Sequence, residues 1–337
     1  MADKRIPVTL LTGFLGTGKT TLLNQLLCDP QMKNSAVIIN EIGSTGLDHI
    51  LATQVDSEHI GDNTVLLSNG CVCCTLKNEL ADTMRDLFFK RALQAIPQFD
   101  RLIIETTGLA DPGPILGNLM NEPVIESVFR LDAVVVTIDA VYGLEQLNEH
   151  LEAKSQVAVG DVLLLTKTDL ATLEQVSQLQ KTLCEINAGA DQHVVINGQI
   201  EPALLIDIGL FDPTGKRAEP HRWLRASKQL KPKSMLAKSN HDGITSFTVT
   251  LPMPIKWRDL KPIMLKLCQT HGKNLLRLKG IIHAADYDHP IAIHAVHFTP
   301  YPPTLLEGWT ENKPSNRIVI IGKNLDEQEI IKMLTHF

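Results

Sequence analysis

Short apolar runs alternate with amphipathic stretches from the start of the chain to about residue 210. The runs at 7–12, 36–40, 65–68, 101–106, 132–139, 161–166 and 193–196 read as strands, and several carry nearly unbroken Val, Ile and Leu, the composition of strands buried on both faces of a parallel sheet. Between them, apolar positions recur at helical spacing over 20–27, 77–93, 115–120, 142–153 and 173–187. This alternation predicts an α/β fold, a mostly parallel sheet covered by helices.

The pattern breaks between 211 and 242, where Lys216, Arg217, Arg222, Arg225, Lys228, Lys231, Lys233 and Lys238 lie among Pro213, Pro220 and Pro232. That composition reads as a basic linker between a first domain (1–210) and a second (243–337). A nucleic-acid arm is the alternative, but Trp223 alone is a poor stacking platform. The second domain alternates again: strand 244–251, helix 259–270, strands 275–284, 291–298 and 317–321, then a helix from Asp326. Asp326 and Glu329 have capping-box spacing at that helix start. The expectation is a smaller α+β domain.

Composition narrows the function classes. At 337 residues with 44% hydrophobic, 21% charged and 4% aromatic positions, the chain fits an ordinary soluble protein of two domains. A formal charge of −6 disfavours a nucleic-acid partner. No apolar run approaches the ~20 residues of a membrane span, and residues 1–12 lack a leader-peptide cleavage site. A cytoplasmic location without membrane contact is expected. Six cysteines, three of them crowded between Cys71 and Cys74, suit a reducing compartment where thiols bind metal or do chemistry.

The sharpest motif is Gly13-Phe-Leu-Gly-Thr-Gly18-Lys19-Thr20, a complete G-x-x-x-x-G-K-[ST] loop between a predicted strand and a predicted helix. Glycines at 13, 16 and 18 let backbone N–H groups turn toward phosphate oxygens, and the helix start adds its positive dipole end. Gly13, Gly16, Thr17, Gly18, Lys19, Thr20 and Thr21 form the expected cradle. Lys19 would reach the β- and γ-phosphates and the Thr20 hydroxyl would ligate Mg²⁺.

Two further segments extend this site. In Leu102-Ile-Ile-Glu105-Thr-Thr-Gly108, an apolar strand delivers Glu105 to the carboxyl edge of the sheet, where it can hold Mg²⁺ through water, while Gly108 offers an amide to the γ-phosphate. Thr166-Lys167-Thr168-Asp169 resembles the guanine-reading N-K-x-D element: Asp169 would accept hydrogen bonds from guanine, and the Lys167 stem would cover the ring. Adenine lacks those donors, and leaving the carboxylate unpaired would cost about 1–3 kcal/mol. Thr166 stands where Asn is usual, a departure that could loosen the support of this segment.

Ser68-Asn-Gly70-Cys71-Val72-Cys73-Cys74 places three thiols within four residues, directly after a strand and an Asn-Gly turn. Thiolates favour Zn²⁺, Cu(I) and related ions, and three sulfurs leave a tetrahedral ion one ligand short, which suits cargo that must be released. Cys71 and Cys74 also form a C-x-x-C pair, so thiol–disulfide chemistry stays open. Asn40-Glu41-Ile42-Gly43-Ser44 begins where the second strand should reach the nucleotide edge, and Glu41 can approach either Mg²⁺ or the cysteine-bound ion. A loop ordered by γ-phosphate and released on hydrolysis would change metal affinity between nucleotide states.

Together, GFLGTGKTT, NEIG, NGCVCC, IIETTGLADPGPI, LLLTKTD and the second domain from Ile244 resemble the CobW-like branch of the metal-associated GTPases that includes UreG and HypB, with most similarity to the YjiA-type subgroup. The resemblance implies a P-loop G domain of the SIMIBI class, slow hydrolysis of GTP to GDP and phosphate, zinc or another transition metal at Cys71, Cys73 and Cys74, and delivery to client metalloproteins. It leaves homo-oligomerisation open. Where the YjiA-type pattern carries a metal-site Glu before Asn40, this chain has Ile39, and Ser44 likewise replaces an acidic residue. Glu41 is therefore the only carboxylate carried into the metal shell.

Other readings remain at this stage: a P-loop ATPase or kinase, or a GTP-dependent metal sensor that transfers nothing. No arginine is identifiable as a transition-state finger, so intrinsic turnover is expected to be weak. His283, His289, His294 and His297 read as surface or core residues, the last two on opposite faces of one strand, and His150 as a solvated helix position.

Overall fold

The seven apolar runs of the first region form one wholly parallel sheet in a computed structural model that describes residues 4–40, 65–69, 76–206, 208, 243–306 and 315–335. Its strands are β1 (Ile6–Gly13), β2 (Ser35–Asn40), β3 (Val65–Asn69), β4 (Arg101–Thr106), β5 (Phe129–Asp139), β6 (Val162–Thr166) and β7 (Asp191–Val195). Their order is β3-β2-β4-β1-β5-β6-β7. The chain winds outward from β1 in both directions, so the switch point of the sheet lies at the carboxyl end of β1, the place where open α/β sheets bind ligands.

Helix α1 (Lys19–Leu27) covers one face, where Leu22, Leu23, Leu26 and Leu27 pack on Leu11, Val37, Ile39, Ile103 and Val135. The other face carries α2 (Leu76–Ala92), α3 (Pro112–Asn121), α4 (Pro123–Val128), α5 (Gly143–Glu149), α6 (Leu151–Val159) and α7 (Leu173–Ile186). Side chains alternate between these cores along β1, β2, β4, β5 and β6, as the pleat dictates. The single helix expected over 142–153 is broken at His150, whose backbone is extended at φ −121° and ψ 119°. Its ring stacks on Phe14 of the glycine-rich loop at 4.5 Å, so His150 is a packed residue and not a solvated one.

The second region builds an antiparallel sheet from β8 (Ile244–Leu251), β9 (Leu275–Ile282), β10 (Ile291–Val296), β11 (Thr299–Pro300), β12 (Thr304–Leu305) and β13 (Asn316–Lys323). One face packs on α8 (Trp257–His271) and α9 (Glu327–Thr335) through Leu260, Met264, Leu267, Leu278, Ile293, Ile320 and Ile330. As the capping spacing predicts, Asp326 Oδ1 accepts from the N–H groups of Gln328 and Glu329.

The opposite face docks on the first region: Ile244, Leu276, Val296, Tyr301 and Ile321 join the core formed by α2–α7. At the centre of this seam Asp161, just before β6, accepts a 2.6 Å bond from Arg277 Nη2 and pairs with Lys279. Burial alone would raise the Asp161 carboxyl, but the Arg277 and Lys279 charges, with hydrogen bonds from Lys279 and Val134 N, hold it below the usual carboxylate range. Burial depresses the Lys279 ammonium, and its pairing with Asp161 offsets only part of that, because Arg277 repels it. His294 lies fully buried on the seam face beside Tyr301. His297 sits beyond the end of β10 in a turn at φ 49°, so the expectation that it faces away from His294 on a shared strand does not hold. Its ring packs on Gly113 at the start of α3, where a Cβ would overlap it. The expected linker 211–242 lies outside the described residues. Among those residues no helix is long and apolar enough to cross a membrane.

Candidate functional site

At the carboxyl end of β1 the chain must turn sharply into α1, and the glycines make that turn accessible. Gly16 and Gly18 adopt φ values of 73° and 87°, and a Cβ on either would meet nothing within 4 Å. Both therefore border open space, as a phosphate cradle requires. Gly18 caps α1 without contributing a side-chain hydrogen bond, so the helix start presents backbone N–H groups. The hydroxyl of Thr17 donates to Phe14 O at 2.8 Å and lies 2.7 Å from Thr137 Oγ1, and its N–H also reaches Phe14 O at 3.4 Å, so Thr17 braces the loop from within. Lys19 Nζ donates to Gly13 O at 2.9 Å and Phe14 O at 3.0 Å, placing the ammonium at the centre of the loop. Thr21 follows on the exposed side of α1.

Strand register brings Glu105 to the same place. Glu105 pairs with Leu11 of β1 and Ile39 of β2, on the face covered by α1, and its Oε1 accepts from Thr20 Oγ1 at 2.9 Å. A hydroxyl and a buried carboxylate, hard oxygen donors beside a phosphate loop, fit Mg²⁺. Ile39, beside Glu105, belongs to the apolar core under α1, so this chain places no second carboxylate there. Gly108 packs so closely on the loop that a Cβ would lie 2.6–2.8 Å from Leu15 atoms. Asp111 caps α3 directly afterwards, its Oδ1 accepting from Gly113 N at 3.0 Å.

The 166–169 segment lies at the end of β6. Thr166 is not a weak substitute for Asn, because its hydroxyl donates to Thr17 O at 2.8 Å and Ile138 O at 3.1 Å and ties this segment to the phosphate loop. Lys167, in the left-handed region at φ 54°, places Nζ 2.7 Å from Asp139 Oδ2. Asp139 Oδ1 accepts from the N–H groups of Val141 and Tyr142, which fixes the carboxylate. Asp169 is exposed at the mouth of the site. Sequence reasoning missed Asp139, although its signal resembles that of Glu105: a carboxylate ending an apolar strand.

Glu41, Cys71, Cys73 and Cys74 lie outside the described residues. The strand ends that lead into them do not: Asn40 and Asn69 are register partners on β2 and β3, and Asn40 also pairs with Thr106 on β4. The chain thus leaves both strands side by side at the edge that carries Gly13, Glu105 and Thr166. Among the described residues no group of three or more His, Cys, Asp or Glu could hold a metal ion. Cys268 is buried in the second core, its thiol pushed up to about 12 by desolvation, so it is inert at neutral pH.

A strand–loop–helix phosphate cradle, a carboxylate on the adjacent strand and a Lys-x-Asp segment two strands away define a P-loop nucleotide-binding protein. The CobW/HypB/UreG nucleotide-binding domain model matches residues 7–194, and the cobW C-terminal domain model matches 244–337. The chain is 36% identical over 328 residues to the zinc chaperone YjiA of Escherichia coli K12, covering 96% of each. It is 36% identical over 188 residues to the zinc-regulated GTPase metalloprotein activator 1 of Schizosaccharomyces pombe, covering 54% of this chain and 44% of the relative. A crystal structure of Zn(II)-bound YjiA GTPase from E. coli superposes with a TM-score of 0.73 at 32% identity, covering 98% of each chain. The chain belongs to the CobW/HypB/UreG family.

Proposed function

We propose that this protein holds zinc or another transition metal at Cys71, Cys73 and Cys74, changes its grip with the state of a bound guanine nucleotide, and delivers the ion to client metalloproteins. The chain is a metal-associated GTPase by family. The observation that carries the finer reading is the register of β2 and β3: Asn40 opposite Asn69 starts Glu41 and Cys71 from adjacent strand ends, on the edge that carries the phosphate loop.

In the nucleotide half of this reading, the N–H groups of the loop and of the α1 start bind phosphate oxygens. Lys19, placed among loop carbonyls, exchanges them for the more strongly accepting β- and γ-phosphates. Thr20 and Glu105 would hold Mg²⁺, the carboxylate through water, and the ion when bound supplies positive charge to the oxygens that gain negative charge on transfer. Gly108, pressed on Leu15, presents its peptide to the γ-phosphate. Asp169 selects guanine, with Lys167 held in place by Asp139.

In the metal half, thiolates supply soft ligands and Glu41 an adjacent carboxylate, an incomplete shell that can hand its ion on. Two measurements test the reading. GTP should outcompete ATP for the wild type, and an Asp169→Ala variant should lose that preference; equal competition points to an ATPase. Zinc titration should show tight binding lost in a Cys71/Cys73/Cys74→Ser variant, and unchanged binding removes the metal assignment.

A further inference from the structure

Gln156 lies on α6 among Ala153, Val157, Ala158 and Val159, only 1% exposed. A helix position this enclosed ordinarily takes an apolar side chain, because a buried amide must find partners. Both of its Nε2 protons are engaged, donating to Gly108 O at 3.1 Å and Ala110 O at 3.0 Å. One side chain thus grips two carbonyls of the segment that joins Glu105 to α3. Thr107 O accepts from Ala110 N at 3.1 Å, closing the same turn from within.

The helix that carries Gln156 is itself fixed at both ends. At its start His150 stacks on Phe14 of the phosphate loop. At its end Asn187 Nδ2 donates to the carbonyls of Val157, Ala158 and Gly160, and Asp161 follows immediately in the ion-paired seam. Gln156 therefore reaches the switch segment from a rigid mount, and Gly108 has no room to drift toward Leu15.

We propose that Gln156 is the positioning residue of the GTPase: by holding Gly108 and Ala110 through their carbonyls, it presents the Gly108 peptide to the terminal phosphate of GTP in one orientation. This rests on the reading of Gly108 as the segment that senses that phosphate. GDP, which lacks the terminal phosphate, does not use the arrangement.

The test compares the full-length wild type with Gln156→Glu, which keeps the shape but turns the donor into an acceptor, and Gln156→Met, which keeps the bulk and removes the polar group. Affinities for GDP and for a non-hydrolysable GTP analogue, and kcat for GTP, are measured per GDP-binding site, so a partly unfolded sample does not blur the comparison. Both variants should keep GDP affinity within about twofold, while analogue affinity and kcat fall about tenfold, the size expected when roughly one net hydrogen bond that orders the segment is lost. A lower melting temperature with unchanged analogue affinity and kcat would make Gln156 merely structural and overturn the proposal. A wild type whose binding shows no dependence on the terminal phosphate would instead remove the reading of Gly108 on which the proposal rests.

Discussion

Strand β6 separates two kinds of polar chemistry. At its carboxyl end Thr166 joins the nucleotide edge, which gathers three short segments, Gly13 to Thr20, Glu105 to Gly108 and Thr166 to Asp169. Immediately before it, Asp161 anchors the seam, where the partner Arg277 is 116 positions away. At the edge, Gly16 and Gly18 border open space beside the buried side chains of Lys19, Glu105 and Thr166. At the seam Asp161 is sealed and pairs with both Arg277 and Lys279. Edge substitutions should therefore alter nucleotide handling at little cost in stability, and seam substitutions should do the reverse.

The largest expected effect is at the seam. Asp161→Ala strands two buried cations beside each other and should cost about 3–5 kcal/mol by denaturant unfolding. GDP affinity should stay within about twofold, since Thr166 lies about 16 Å further along the strand. Because the folded-state pKa of Asp161 is depressed, its contribution is fully present above the unfolded value near 4 and is lost as pH falls through the lower folded value. Acid titration of the wild type should accordingly show a larger loss of stability below about pH 4 than that of Asp161→Ala.

Next in size, Lys19→Ala should lower GTP turnover by on the order of 10²-fold or more, read as single-turnover phosphate release, while thermal unfolding shifts little by comparison. A loss of folding equal to that of Asp161→Ala would erase the contrast between edge and seam. Gly113→Ala tests where the two regions meet, since the new methyl overlaps His297 at the start of α3. It should destabilise the protein by about 1–3 kcal/mol, and a His297→Ala partner should recover part of that in a double-mutant cycle. The smallest effect is remote from both: Asp326→Ala removes the α9 cap and should cost about 1 kcal/mol without touching nucleotide binding.

The same contrast explains what could be read in advance. The strands β1, β2, β4, β5 and β6 are visible as apolar runs because burial on both faces leaves an unbroken signal. The phosphate loop is visible because its chemistry needs fixed spacing within one turn. The six-residue helix α4 is not, being too short to show a period. The break at His150 is hidden for a different reason: apolar spacing continues across it, and a ring stack with Phe14 fixes the local backbone. His297 escapes the strand parity rule because β10 ends one residue earlier. Asp139, Gln156 and the Asp161–Arg277–Lys279 group are ordinary residues in ordinary segments, made significant only by partners that the fold brings to them.

Zinc affinity measured on one preparation with GDP and again with a non-hydrolysable GTP analogue tests the coupling between the phosphate edge and Cys71, Cys73 and Cys74 most directly. The adjacency of the β2 and β3 ends predicts dissociation constants that differ by about 5–150-fold between the two states, the usual range for coupled sites. Identical constants in both states would contradict it.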